Sequence, residues 1–261
     1  MTTSQQWAAR ASASARLDPR TVDAVVLDTD GVLTNARALR STAWQDTLNA
    51  YLAQYAHVTG RPRPRRAVSA GRVGRLTGLL EQDTAAALLQ AQGRLANLAE
   101  QHLGPSGEDL LDLLVRHANH RFLELLRSEG VRARSGAGRL LFDLRAAGIR
   151  TAALSTGRHS EQLLRSAGLM DLLEARVDAA DAEHYRLAGP PEPAMYRLAL
   201  ERLRSVPGRA ALLTDTPTGL AAGARAGFGR LVAVAGDDAF WEGPEPAVPG
   251  LDAVVVRPAV R

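Results

Sequence analysis

The amino-acid order predicts an α/β fold: a mostly parallel sheet with helices on both faces, and an all-helical segment inserted near its start. Three observations predict it. From about Gly136 onward, short apolar runs alternate with stretches of helical periodicity, the pattern that lays strands parallel and joins them by helical crossovers. Between residues 36 and 135 only helical periodicity is found, with no convincing strand. Finally, three apolar runs end in polar residues, at Asp28, Ser155 and Asp215, and parallel sheets bind ligands at the carboxyl ends of their strands.

Taken in order, Met1 to Arg20 has scattered Arg, Ser and Ala with no continuous apolar run, and reads as a tail or a short capping helix. Ala24-Val25-Val26-Leu27-Asp28 is short, apolar and rich in valine, as a buried strand is. Ala36 to Tyr55 is helical, with Leu39, Trp44, Leu48, Tyr51, Leu52 and Tyr55 near helical spacing, and the Arg-Pro stretch from Gly60 to Gly74 breaks it. Leu76 to Leu98 and Asp109 to Leu126 are amphipathic helices parted by Gly104-Pro105-Ser106-Gly107. Beyond them come a helix over Leu140–Ala147 stopped by Gly148, a strand over Thr151–Leu154, a helix over Ser160–Ala167 closed by Gly168, and a strand at Arg176–Val177. Prolines open a helix from Glu192 to Leu203. Ala210–Leu213 is a strand, Pro217–Ala226 a helix closed by Gly227, Leu231–Val234 a strand, and Ala253–Val256 a last strand. The division is a tail over 1–20, a Rossmann-like α/β core over 21–35 and 136–261, and a helical cap over 36–135.

A hydrophobic content of 46% over 261 residues is ample for a packed core, and Arg, Asp or Gly interrupts every apolar run before it reaches membrane-spanning length. The absence of cysteine fits a reducing, cytoplasmic setting. All 32 basic residues are arginine, so no lysine is available for any role. Arg61, Arg63, Arg65, Arg66, Arg72 and Arg75 cluster among Pro and Gly. Nearby aromatics for base stacking are missing, which disfavours nucleic acid and leaves a solvated loop or one facing a small anionic substrate.

The most informative stretch is Asp28-Thr29-Asp30-Gly31. Residues two apart at a strand end point the same way, so Asp28 and Asp30 offer two carboxylates to one pocket, and Gly31 lets the chain turn. Two acids this close repel unless a cation lies between them, which suggests magnesium. A calcium loop of the EF-hand kind needs a glutamate at its twelfth position, and Leu39 stands there. A plain surface turn remains the competing reading. Ser155-Thr156-Gly157-Arg158 and Thr214-Asp215-Thr216 follow at two later strand ends; each alone is an acceptable helix cap, but three in this order are hard to obtain by chance.

These residues resemble the haloacid dehalogenase superfamily of aspartate-nucleophile phosphotransferases, and within it the beta-phosphoglucomutase-like branch. Further local signatures are Leu187-Ala188-Gly189 followed by Glu192-Pro193-Ala194-Met195-Tyr196, and Ala222-Gly223 through Ala226-Gly227-Phe228. The resemblance implies that Asp28 attacks phosphorus to form an aspartyl-phosphate and that Asp30 serves as acid and then base. It implies Mg2+ held by Asp28, the Asp30 backbone carbonyl and Asp215, with Ser155 and the Thr156 amide holding phosphate and Arg158 gripping a second phosphate or a sugar phosphate. The chain departs from the pattern in three places: Pro190 stands where the family has a lysine, Thr214 replaces an acid commonly paired with Asp215, and Gly157 replaces a hydroxyl.

The expected function is a magnesium-dependent phosphohydrolase acting through an aspartyl-phosphate on a small phosphorylated metabolite, such as a sugar phosphate. A catalytically weak or inactive relative that binds a ligand or partner protein is the alternative from another class, and a hexose-phosphate mutase is the weaker enzymatic one. The six histidines show no metal-ligand spacing, although His159 follows Arg158, and Asp237, Asp238 and Trp241 are read as plain structure.

Overall fold

Six strands form one all-parallel sheet, in a computed structural model that describes residues 14–60, 73, 76, 78–91, 110–235 and 247–258. The strands in chain order are β1 Ala15–Leu17, β2 Ala24–Asp28, β3 Arg150–Leu154, β4 Ala175–Val177, β5 Ala210–Thr214, β6 Arg230–Val234, β7 Ala247–Val248 and β8 Val254–Val256. The described α-helices are α1 Ala36–Thr59, α2 Glu81–Gln90, α3 Leu110–Glu129, α4 Ala137–Ala146, α5 Ser160–Ser166, α6 Ala179–Tyr185, α7 Ala194–Arg202 and α8 Pro217–Ala226. The sheet order is β4-β3-β2-β5-β6-β7. β1 and β8 pair in a separate parallel ribbon.

β2 and β5 are buried along their whole length, and β3 in all but its first residue. Continuous apolar runs, rather than alternating ones, are what a strand covered on both faces requires. β2 lies at the switch point: the chain passes from it to β3 on one side and later to β5 on the other. The crevice beyond its carboxyl end is where such sheets take ligands. Asp28 is the last residue of that strand.

The chain divides into two compact units, Met1–Ala36 with Val131–Arg261 and Arg37–Gly130. In the second, Trp44, Leu48, Tyr51, Leu52 and Tyr55 of α1 pack with Leu88 and Leu89 of α2 and Leu114, Val115 and Ala118 of α3. One apolar stripe per helix, at i, i+4, i+7 and i+11 in α1, is enough to build that core. Arg40 is buried there beside Glu81 at 3.8 Å, with its guanidinium 4.6 Å from the Phe122 ring centre.

Several elements differ from the sequence reading. Ala15–Leu17, inside the expected tail, is a strand paired with Val254–Val256. α1 runs on to Thr59 rather than ending at Tyr55, and α2 begins at Glu81 rather than Leu76. α6 and β7 were not anticipated. Residues 131–135, expected in the cap, belong to the sheet-bearing unit. They are held there by a bridge between Thr34 and Ala133, by Arg134 N donating to the Leu33 carbonyl at 2.9 Å, and by Arg132 N donating to Asn35 Oδ1 at 2.9 Å. The Arg-rich stretch 61–72, the expected helix over 92–98, the turn at 104–107, and Asp237, Asp238 and Trp241 lie outside the described residues.

Candidate active site

The β2 carboxyl end is built by a tight loop. Thr29 N donates to the Leu154 carbonyl at 2.7 Å, carrying the strand pairing one residue past Asp28. The chain then doubles back, with Leu33 N on the Asp28 carbonyl at 3.1 Å and Thr34 N on the Thr29 carbonyl at 2.9 Å. Gly31 turns at φ 85°, a left-handed conformation that costs glycine least, and its N–H donates to the Thr34 carbonyl at 2.9 Å. Asp28 is buried and Asp30 half-buried. The Arg134 guanidinium donates to the Gly31 carbonyl and braces this turn from the segment before α4. The sequence reading missed that arginine, which carries no motif.

β5 brings up the second carboxylate. Leu27 and Leu213 are partners in register, so the strand ends Asp28 and Thr214 are neighbours, and Asp215 follows. Thr214 is fully buried and its hydroxyl donates to Asp28 Oδ2. Asp215 is buried. Tyr196 on α7 reports on both acids: burial pushes its phenol well above the usual tyrosine value, and the charges of Asp28 and then Asp215 add to the rise. Two carboxylates from adjacent strands therefore bear on one buried ring.

Thr214 was read from sequence as a lost charge. It is a hydrogen-bond donor to the very carboxylate expected to react. The same hydroxyl lies 3.3 Å from Thr216 Oγ1 and accepts from Thr216 N at 3.2 Å, while Thr216 Oγ1 caps α8 through Gly219 N at 3.0 Å. Gly219 makes room for this: a Cβ there would collide with Thr214 Oγ1 and stand 2.8 Å from Thr216 Oγ1.

The loop after β3 carries Ser155, Thr156 and Arg158. Ser155 is buried, its N–H donates to the Val177 carbonyl at 2.9 Å, and its Oγ accepts from Gly157 N at 3.1 Å. Ala179 N donates to the Gly157 carbonyl at 3.3 Å, and Ser160 Oγ donates to Asp178 Oδ2 at 2.7 Å. Three successive residues at the β4–α6 junction thus grip three positions of the loop. Thr156 is half-buried. Arg158 is exposed, with its guanidinium 2.6 Å from Glu183 Oε2 on α6. Pro190 is buried in the connection between α6 and α7.

A hard divalent cation prefers oxygen donors, and magnesium commonly takes one or two carboxylates and completes its shell with water and phosphate. Among the described residues no group of three or more His, Asp or Glu side chains is placed to share an ion. Asp28 and Asp215 supply two buried carboxylates at one end of the sheet, a set that fits magnesium with water and phosphate completing its shell. No described helix is long and apolar enough to cross a membrane.

Comparison with known proteins gives a consistent result. The sequence model of the haloacid dehalogenase-like hydrolases matches residues 22–227. The chain is 29% identical over 217 residues to a beta-phosphoglucomutase of Mycobacterium bovis, covering 83% of this chain and 82% of that one. In fold it is similar to a beta-phosphoglucomutase of Clostridium difficile, at TM-score 0.64 and 17% identity over 91% of each chain. It is also similar to CbbY of Rhodobacter sphaeroides in complex with xylulose-(1,5)bisphosphate, at TM-score 0.65 and 21% identity over 88% of this chain and 95% of that one.

Proposed function

We infer the activity from one premise: the chain belongs to the haloacid dehalogenase-like hydrolases, whose sequence model spans residues 22–227. The reading is a phosphohydrolase for a small phosphorylated metabolite, of the sugar-phosphate class. The observation that carries it is the pairing of two buried acids, Asp28 and Asp215, at the carboxyl ends of adjacent parallel strands.

In this reading an oxygen of the Asp28 carboxylate bonds to phosphorus as the bond from phosphorus to the ester oxygen breaks, and Asp30 hands its proton to the departing alkoxide. Water then attacks the aspartyl-phosphate at phosphorus, Asp30 takes the water's proton, and the Asp28 carboxylate departs with the bonding pair. Splitting one displacement into two lets a single carboxylate pair serve both halves. Ser155 and the Thr156 amide hold phosphate oxygens, with the start of α5 close behind them in sequence. Asp28, Asp215 and the Asp30 carbonyl would hold Mg2+, which when bound offsets the repulsion between a carboxylate and an anionic phosphoryl group. The 29% identity to a beta-phosphoglucomutase supports the sugar-phosphate class.

The test is phosphate release from p-nitrophenyl phosphate and a panel of sugar phosphates, with and without magnesium, using Asp28→Asn as control. Magnesium-dependent release that the substitution abolishes supports the reading. Equal background release from both proteins under all conditions removes it. One observation favours a second reading, a weak or inactive relative that binds a ligand: Pro190 stands where the resemblance puts a lysine, and the chain has none. Saturable binding of a sugar phosphate without turnover would select it.

A further inference from the structure

We propose that Thr214 is a positioning residue for the attack on phosphorus, holding the Asp28 carboxylate in one orientation through Oδ2. The proposal rests on the reading of Asp28 as nucleophile. It goes beyond it by assigning a task to a residue that the family resemblance counts only as a missing acid.

Four features converge on that hydroxyl. Thr214 is fully buried, so its O–H bond to Asp28 is shielded from competing water. Its oxygen is itself engaged by Thr216 N at 3.2 Å, which leaves the hydroxyl proton aimed at the carboxylate. Gly219 keeps open the space that the hydroxyl fills, since a Cβ at that position would overlap it. Register seats the group: Leu27 pairs with Leu213, which sets Thr214 beside Asp28 without any flexible reach. A threonine is stiff about its first torsion, so both partners are fixed by the sheet.

The electrostatics favour a donor over an acid at this position. Asp28 and Asp215 already bring two buried carboxyl groups to this end of the sheet, and the chain has no lysine. A carboxylate at 214 would add repulsion, whereas a hydroxyl steadies Asp28 and adds no charge.

The experiment compares Thr214→Val, Thr214→Ser and Gly219→Ala with the wild type, each as the full chain with magnesium and p-nitrophenyl phosphate. Valine keeps the shape and removes the donor, serine restores the donor, and Gly219→Ala drives the hydroxyl off Asp28. Loss of a charge-assisted bond at the reacting group is expected to lower kcat about 10- to 100-fold for Thr214→Val and for Gly219→Ala, with KM within about threefold. Thr214→Ser should keep kcat within about threefold of wild type. A purely packing role would give the opposite ranking, with valine the better substitute. The readout independent of turnover is the Asp28 side-chain orientation in crystals of each protein: single in wild type and the serine variant, altered or split in the other two. Should the wild type hydrolyse no ester, the phosphohydrolase reading falls and the positioning role falls with it, and the crystals then report only whether Thr214 orients Asp28. Wild-type kcat in Thr214→Val or Gly219→Ala, or an Asp28 orientation unchanged by both, overturns the proposal.

Discussion

Replacing Asp178 with alanine should cost the sheet-bearing unit about 3 to 5 kcal/mol and loosen the loop that carries Ser155. The carboxylate is 2% exposed and accepts four hydrogen bonds. Oδ1 caps α6 through Ala180 N at 3.0 Å and Asp181 N at 3.4 Å, and loss of such a cap costs about 1 kcal/mol. Oδ2 accepts from Ser160 Oγ at 2.7 Å. Ser160 is fully buried, so its hydroxyl would be left without that acceptor, at a cost of about 1 to 3 kcal/mol. Arg176, 2.7 Å from Asp178, keeps its second partner Glu161 at 2.9 Å, and its side chain is a third exposed, so that part is discounted to about 1 kcal/mol or less. Asp178→Asn keeps the shape and the cap while removing the charge, and should cost about half as much.

The functional consequence follows from the neighbours. Val177 and Ala179, either side of Asp178, hold Ser155 N and the Gly157 carbonyl. Urea unfolding gives the stability, and hydrogen exchange at the Ser155 and Gly157 amides gives the local effect. In the phosphohydrolase reading KM for a phosphoester should rise more than about tenfold, since the misplaced groups are those that hold phosphate. A loss below about 1 kcal/mol for the alanine variant, with unchanged exchange at both amides, would refute the reasoning.

Four other outcomes are expected. Pro190→Lys should raise the phosphatase rate about a hundredfold by supplying the missing donor, and an unchanged rate would show that its absence is not limiting. Thr214→Glu should lower activity in the wild-type background and do less harm beside Pro190→Lys, a coupling measured by a double-mutant cycle. Acid sensitivity should involve Asp23: burial works to raise its carboxyl, but hydrogen bonds from Ser205 and Arg209 and the charge of Arg150 outweigh it and leave the pKa below 3.8. Because the folded value is the lower one, this stabilisation is present above about pH 3.8 and is lost as pH falls further, and Arg209→Gln should flatten the melting curve against pH there. In the helical unit, Glu81→Ala removes the acid beside buried Arg40 and the acceptor of Asn119 Nδ2 at 3.0 Å, at a cost of about 3 to 5 kcal/mol in thermal or urea unfolding.

How much of this was legible in the amino-acid order depends on the range of the interaction. β2, β3 and β5 could be read because a strand covered on both faces needs a continuous apolar run, and residues 24–27, 152–154 and 210–213 supply it. β1 could not: Ala15-Arg16-Leu17 carries no run, and only its pairing with Val254–Val256 makes it a strand. α6 escaped notice because it is short, yet its signal was present as Asp178 and Asp181 three apart, a capping box that both side chains complete. The helix over 76–98 was drawn from one periodic pattern, whereas α2 begins only at Glu81, after a turn near residues 78–79.

The site divides along the same line. Asp28, Ser155 and Asp215 were findable because each ends a strand-like run, a local property. The partners of Arg158 and Asp28 were not. Arg158 was assigned to substrate from its place in the motif, and its ion pair with Glu183 depends on α6 packing beside the loop. Thr214 was weighed by charge alone, since charge can be counted along a chain while a hydrogen-bond donor has value only against a named acceptor. That acceptor became visible once the sheet order set β5 beside β2. A residue that breaks a family's charge pattern is therefore not thereby idle: beside two buried carboxylates, and in a chain without lysine, a neutral donor can steady one of them where a third acid would repel it.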